Sequence, residues 1–381
     1  MGGLKVESNS FMELVQAPLI IAVIAAGLAA LIAIMDSIVN NYGDCVININ
    51  EGSKELTVKG GSFLLRLLAQ QKIFVPSACG GRGSCGACKA KIISDVGVHL
   101  PTEIPYLTKE EIDENVHLCC QLKVKKDLEI EIPEELFNVK EYKTKVKRLV
   151  SVTHDIKELY LELGDEIKFS PGMYMQITSK PYAKVKAATQ RAYSISSPPS
   201  DNRHVELLVR LVPDGIVTTY VHQHLKEGDE MEAVGPFGDF YCRDTGAIMI
   251  CVAGGSGMAP FRSILRHMEA TGEINEREIW YFFGAVSKRD GYYLDDFKEM
   301  EKKYPNFHFI FALSGPKPED NWTGETGLIT DVLDRFLKEK IDSSQPREGY
   351  LCGSPGMIDA CNRVLNDNGI SWEKIYYDKF A

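Results

Sequence analysis

The sequence predicts a multidomain chain of four parts: an N-terminal transmembrane helix, a small α+β domain, an antiparallel β-barrel and a parallel-sheet α/β domain. Three observations predict it. Residues 17–35 form one uncharged apolar run, cysteines 79, 85 and 88 share a glycine-rich loop, and after Thr245 apolar runs alternate with helical segments. The expected divisions are 1–43, with the helix at about 15–36, then 44–139, 140–243 and 244–381.

At 381 residues the chain has room for two to four domains. A net charge of −10 argues against nucleic acid as a partner, because phosphate contacts need a basic face. No internal repeat or low-complexity tract interrupts the chain.

The run Ala17–Met35 would span roughly 28 Å as a helix, close to the hydrocarbon thickness of a bilayer. A secretory signal would carry a shorter apolar core, about 7–15 residues, behind a basic start. Here Lys5 is offset by Glu7 and Glu13, and no small-x-small cleavage site follows. A buried globular helix is the other rival, and this run is apolar on every side. It reads as an uncleaved single-pass anchor. Asp36 lies only at its edge, so one such helix is a poor ion path.

The next stretch, Asp44 to about Pro133, suits a β-grasp-like α+β domain. Val46–Asn50 and Glu55–Val58 read as a hairpin turning at Asn50-Glu-Gly-Ser, and Ser62 is a plausible N-cap for the helix that follows. Then comes Ser77-Ala-Cys-Gly-Gly-Arg-Gly-Ser-Cys-Gly-Ala-Cys88. Three cysteines spaced C-x5-C-x2-C, with a distant fourth, suit a [2Fe–2S] cluster, which takes four thiolates. Glycines 80, 81, 83 and 86 allow positive φ and let amides approach the anionic sulfurs. A disulfide knot fits the scattered remaining cysteines poorly, and zinc would ask for a second close pair or a histidine, with His117 a weak spare. Lys89–Ile93 reads as a strand, and Thr108 with Glu111 as a capping box. His117-Leu-Cys-Cys-Gln121 reads as the start of a strand, and its extended backbone would turn Cys120 to the cluster and Cys119 to the opposite face.

Past a short connection at Pro133–Tyr142, short β segments and turns predict the barrel. The basic run Lys140 to Arg148 reads as a solvated strand edge. Arg191-Ala-Tyr-Ser-Ile-Ser196 should end a strand with Arg, Tyr and Ser on one face, groups that suit a pyrophosphate, a flat ring and a ring nitrogen. Gly215-Ile-Val-Thr-Thr opens a helix whose amides and Thr218 and Thr219 hydroxyls suit phosphate, and Gly235-Pro-Phe-Gly238 reads as a tight turn.

In the last part, Ala247–Ala253 reads as a fully buried parallel strand. It runs into Gly254-Gly-Ser-Gly-Met-Ala-Pro260 and the helix Phe261–Ala270, a strand–turn–helix cradle for a dinucleotide. Ile279–Ala285 and Phe307–Leu313 read as further strands, and Gly349–Gly356 as a fourth strand ending in a glycine turn. Cys352 falls at the carboxyl edge, where open α/β sheets bind ligands, with a plain buried thiol as the alternative.

R-A-Y-S-I-S, G-P-F-G, G-G-S-G-M-A-P and C-G-S-P-G-M, in this order, resemble the ferredoxin-NADP-reductase superfamily. The anchor, the cysteine loop, Leu100-Pro-Thr-Glu and Pro318-Glu-Asp-Asn-Trp-Thr-Gly-Glu-Thr-Gly327 are similar to the F-subunit family of sodium-translocating NADH:quinone oxidoreductases. The resemblance implies Cys79, Cys85, Cys88 and Cys120 as cluster ligands. It implies Arg191, Tyr193, Ser194 and Ser196 around FAD, with Gly215, Val217, Thr218 and Thr219 on its phosphates. NADH would lie on Gly254, Gly255, Ser256, Gly257, Met258, Ala259 and Pro260 and on Cys352, Gly353, Ser354 and Pro355. Phe380 would cover the flavin ring, and Cys352, Phe380 and Ser196 form the implied catalytic set, with Asp378 a carboxylate near the ring. The segment Lys180–Gln190 is shorter than that family leads one to expect.

The implied activity passes hydride from NADH to FAD and single electrons through the cluster to a membrane partner, with quinone as final acceptor of the complex. Ion pumping would belong to other membrane subunits. A nicotinamide site must face the cytoplasm, so the cofactor domains should lie on the cytoplasmic side of the inner membrane. Ser287-Lys-Arg289 would suit the 2′-phosphate of NADPH, while the resemblance implies NADH. The rival readings are a reductase feeding an oxygenase and a non-catalytic membrane-tethered electron carrier.

Overall fold

The computed structural model describes residues 7–39 and 41–379, with the side chains of 7–17 and 36–39 left out. Two compact units emerge, Met1–Gln71 with Lys89–Pro133 and Lys72–Cys88 with Glu134–Ala381.

The first unit opens on helix α1, Glu7–Val39, longer than the expected span. Its stretch Pro18–Met35 is long and apolar enough to cross a membrane, and none of it is buried. Leu19, Ile21, Leu28 and Ile32 are all more than half exposed, which is stable only against a nonaqueous surrounding. Strands β1 (Asp44–Ile49) and β2 (Lys54–Lys59) then form the expected antiparallel hairpin. Asn50, Glu51 and Gly52 make its turn at positive φ. Alternate residues Cys45, Ile47 and Ile49 of β1 face inward. With β3 (Lys89–Ile92), β4 (Val116–Leu118) and β5 (Leu128–Glu131) the sheet order is β2-β1-β5-β3-β4, with β1 and β5 parallel.

Helix α2, Leu64–Gln70, is not capped by Ser62. Phe63 takes the cap position without a side-chain bond. The amides of Leu64 and Leu65 donate instead to the carbonyls of Leu122 (2.8 Å) and Cys119 (3.0 Å), so the first turn needs no hydroxyl. Thr108 and Glu111 do form the capping box of α3, Lys109–Asp113.

The second unit contains the barrel. Its strands are β6 (Lys140–Ser151), β7 (Ile156–Leu163), β8 (Tyr174–Ser179), β9 (Thr189–Ser194), β10 (His204–Arg210) and β11 (Glu230–Phe237). They pair antiparallel in the order β10-β7-β6-β11-β8-β9, and a bridge between Ile195 and Leu207 joins the two ends. The basic run lies on β6, a central strand and not an edge: Lys143, Lys145 and Lys147 face solvent between buried Tyr142, Thr144 and Val146. Gly235-Pro-Phe-Gly238 is not a tight turn either. Gly235 to Phe237 end β11 at a bulge against β8, with a cis Gly235–Pro236 bond. Helix α4, Ile216–Thr219, is a single turn after Gly215.

The rest of this unit is a parallel sheet: β12 (Ile248–Gly254), β13 (Ile279–Ala285), β14 (Phe307–Leu313), β15 (Glu325–Thr326), β16 (Arg347–Gly353) and β17 (Ile375–Lys379). The order is β15-β14-β13-β12-β16-β17. Helices α5 (Met258–Thr271) and α6 (Leu294–Lys303) cover one face, and α7 (Ile329–Glu339) and α8 (Pro355–Asp367) the other. Phe261, Phe282 and Phe283 are fully buried, each contributing about 1.5–3 kcal/mol of apolar burial. Strand order reverses between β12 and β16, which opens a crevice beyond their carboxyl ends.

Candidate redox site

The crevice begins where β12 ends. Gly254, Gly255 (φ +57°), Ser256 and Gly257 turn the chain into α5, so the free amides of its first turn sit beside the sheet edge. Gly257 is sterically required. A methyl group there would stand 2.2 Å from the Cys352 carbonyl oxygen and 2.6 Å from its carbon. Met258, Ala259 and Pro260 are buried and seat the helix, whereas Gly254, Gly255 and Ser354 line a cavity of about 430 Å³ with Arg210, Gly284 and Asp290. Gly353 (φ +151°) is buried, and Ser354 and Pro355 start α8 at the exposed rim.

Ser287, read as a 2′-phosphate donor, is already engaged. Its amide and hydroxyl both donate to the Asp290 carboxylate at 2.8 Å. Arg289 stays exposed beside that carboxylate.

On β9, Arg191 and Tyr193 share one face and Ser194 falls on the other, because side chains alternate along a strand. The expected one-sided R-x-Y-S array is therefore split. Ser194 donates to the Asp378 carboxylate at 3.2 Å. Ser196 is fully buried and accepts from Arg262 Nη1 at 3.1 Å. Arg262 also pairs with Glu206 and lies 4.2 Å above the Tyr293 ring, a buried network that sequence reasoning missed. In the 215–219 turn, Val217 is a core residue. The Thr218 hydroxyl closes its own loop, accepting from the Val212 amide at 3.2 Å, and Thr219 beside it is half-buried. Phe380 lies outside the described residues.

Cys352 is fully buried, and burial, then Asp378, pushes its thiol well up. The adjoining β17 holds Asp378 directly opposite it in register. Burial raises the Asp378 carboxyl to about 6; its bond from Ser194 opposes the rise and Asp239 adds to it. The folded chain thus binds more protons than the unfolded one between about pH 4 and 6, and stability falls as pH rises through that window. Asp378→Asn should remove this loss, gaining on the order of 2 kcal/mol relative to the parent at pH 7.5 but little at pH 4. Urea unfolding at both pH values checks it, and an equal difference at the two would refute it.

The cysteine loop has the shape expected. Gly80, Gly81, Gly83 and Gly86 all take positive φ, and the Arg82 amide donates to Cys79 Sγ at 3.2 Å. Cys79 and Cys85 share a hydrogen bond that lowers the Cys79 thiol well below its ordinary range and raises Cys85. Cys88 is buried. This left-handed glycine backbone, with an amide aimed at the Cys79 sulfur, fits an anionic iron–sulfur group. Cys79, Cys85 and Cys88 belong to one compact unit and Cys120 to the other. Among the described residues, no three His, Cys, Asp or Glu side chains stand close enough together to hold a metal ion.

Cys119 and Cys120 lie in a turn after β4, not in an extended segment, so strand alternation does not choose between them. Both are buried, and burial followed by Cys120 pushes the Cys119 thiol up to about 12. The turn is fixed by a residue missed as such, Glu103. Its buried carboxylate accepts from the amides of Leu118 (2.8 Å) and Leu100 (2.9 Å) and pairs with His117 at 3.4 Å. His117, stacked on His99 at 4.1 Å, is thereby engaged elsewhere than in a metal site. The Leu100-Pro-Thr-Glu103 run was the available signal.

Three protein-family profiles match the chain: a 2Fe-2S iron-sulfur cluster binding domain over residues 47–125, an oxidoreductase FAD-binding domain over 143–241 and an oxidoreductase NAD-binding domain over 251–363. Among curated relatives, the F subunit of the Na(+)-translocating NADH-quinone reductase of Neisseria gonorrhoeae is 37% identical over 97% of this chain and 100% of its own. The protein of the same name in Actinobacillus succinogenes is 38% identical over 93% and 95%. Among solved structures, an Amycolatopsis cytochrome P450 reductase superposes with a TM-score of 0.70 at 26% identity, covering 88% of this chain and 98% of that one. A ferredoxin reductase of carbazole 1,9a-dioxygenase shares the fold, with a TM-score of 0.67 at 24% identity over 89% and 99%. The chain is a flavin and iron–sulfur oxidoreductase that uses NADH, FAD and a [2Fe–2S] cluster, and its apolar N-terminal helix fits a membrane anchor. It belongs to the family of the Na(+)-translocating NADH-quinone reductase F subunit.

Proposed function

We propose that this chain is the NADH-oxidising subunit of a sodium-translocating NADH:quinone oxidoreductase complex, held in the cytoplasmic membrane by α1 with its cofactor domains on the cytoplasmic side. The observation that carries the site reading is Asp378: it accepts from Ser194 of the flavin strand and lies in register with Cys352 of the NADH crevice. One carboxylate thus joins the two sites between which hydride must pass. Bound FAD accepts two electrons together, and the [2Fe–2S] cluster takes them singly.

Cys79, Cys85, Cys88 and Cys120 hold the cluster. Arg191, Tyr193, Ser194, Ser196 and the 215–219 turn hold FAD, and Gly254–Pro260 with Cys352–Pro355 hold NADH. Ser194 presents its hydroxyl to the flavin, and Asp378, with its raised carboxyl, can keep or return a proton there near neutral pH. Cys352 shapes the floor of the nicotinamide site as a neutral thiol. NADH is favoured over NADPH because the Ser287 hydroxyl is spent on Asp290. Pro18–Met35 carries no ionisable residue, so sodium passage and quinone reduction belong to partner membrane subunits.

Anaerobic addition of NADH to the detergent-solubilised, cofactor-loaded chain should bleach the flavin first and the cluster second. A flavin that NADH leaves oxidised would refute the reading. The likeness to the P450 reductase and the short 180–188 connection favour a second reading, a reductase feeding an oxygenase. Copurification with integral membrane subunits decides for the complex, and with a soluble oxygenase for the alternative.

A further inference from the structure

Segment Lys72–Cys88, which carries the loop cysteines, folds within the same compact unit as the barrel. Three contacts fasten it there. Lys72 pairs with Glu141 at the start of β6. Phe74 packs with Val139, Val234 and Phe237 in a small apolar cluster. At the loop tip, Gly80 (φ +69°) comes so near β9 that a methyl group on it would stand 2.8 Å from both the Gln190 carbonyl oxygen and Arg191 Nη1.

The loop is shaped for this approach. Ser77 accepts from the Gly80 amide through its carbonyl (2.9 Å) and from the Gly81 amide through its hydroxyl (2.8 Å), which sets the tip before it meets β9. Residues 180–188 connect β8 to β9, and it is the start of β9 that the loop tip meets. Arg191 is half-buried between the two, its guanidinium held below its ordinary range by burial and then by Arg82, while Cys79 opposes that shift. Side-chain-free backbone at Gly80 is what permits the contact.

We propose that this docking is the electron-transfer contact of the enzyme: the Cys79 end of the loop is clamped on Gln190–Arg191 of the flavin strand, and Arg191 serves both the flavin and the loop. Electron transfer through protein weakens steeply with separation, and the loop tip stands so near β9 that the position of Gly80 has no room for a methyl group. Each passage moves one electron from reduced FAD to one ferric iron of the cluster. Two passages return FAD to its oxidised form, the proton it gained with the hydride leaving to solvent and a one-electron acceptor reoxidising the cluster between them. The inference rests on reading Cys79 as a cluster ligand and Arg191 as a flavin residue.

The test uses the full-length holoenzyme with Lys72→Glu, Glu141→Lys, the double charge swap and Phe74→Ala. Hydrogen exchange over residues 72–88 reports docking, and stopped-flow absorbance separates flavin bleaching from cluster bleaching. Lys72→Glu should raise exchange and slow the second phase by about threefold, the scale of an exposed ion pair, with the swap restoring both. Phe74→Ala should slow the second phase by about tenfold and leave the first unchanged. If exchange rises while the second phase keeps its rate, or if neither variant raises exchange, the docking contact is refuted. Absent flavin bleaching in the parent would instead refute the reductase reading itself.

Discussion

Gly257→Ala is expected to cut NADH-driven flavin reduction by roughly 100-fold, the scale of a 1 Å misplacement at a reacting centre. The three atoms nearest the added methyl would all be backbone, the carbonyl oxygen and carbon of Cys352 and the amide nitrogen of Gly353, and no rotamer change can relieve them. Either α5 withdraws from β16 or β16 bends, and both move the turn that should cradle the dinucleotide. Dithionite should still reduce flavin and cluster, because the barrel and the cysteine loop are untouched. The measurement is the NADH concentration dependence of flavin bleaching in parent and variant. A variant with an unaltered rate and KM would show that NADH does not bind over this turn.

The second large effect is expected from Cys85→Ala. The chain should lose its iron, and single-electron output should fall by roughly 100-fold or more, while NADH still bleaches the flavin. Cys85 is partly exposed, so its removal costs little packing. The same assay applied to the neighbouring pair settles what strand alternation could not: Cys120→Ala should be iron-free and Cys119→Ala should keep iron. The reverse pattern would assign the fourth thiolate to Cys119. Iron analysis and the cluster's visible absorbance read each outcome without relying on turnover.

Much of the architecture was legible because it rests on local signals. The uninterrupted run of residues 17–35, the turn Asn50-Glu-Gly, the Thr108–Glu111 box and the apolar runs of β12 and β13 each specify their own conformation. What escaped was decided by distant partners. Ser62 is a good cap by composition, but the carbonyls of Cys119 and Leu122 had already claimed the helix amides. Gly235-Pro-Phe-Gly238 has turn chemistry, but β8 pairs with it across a bulge. In the site, glycines 254, 255 and 257 declared themselves by type. Asp378 stood out only as a carboxylate near the ring, and its partners came from the fold, where β17 lays it beside Cys352 and Ser194 donates to it. Arg262 and Glu206 were silent for the same reason: 56 residues separate partners that meet in the folded unit.

Helix α1 ends at Val39 and β1 begins at Asp44. Fully stretched, that connection reaches no more than about 18 Å. The first sheet is therefore a leashed reactant, confined to a layer about as thick as the leash beside whatever surface holds the helix. An acceptor in the same layer meets it at an effective concentration in roughly the millimolar range, so a weak and short-lived complex suffices for turnover. Severing the leash at 40–43 should leave the chemistry intact and make its rate depend on how much acceptor is supplied.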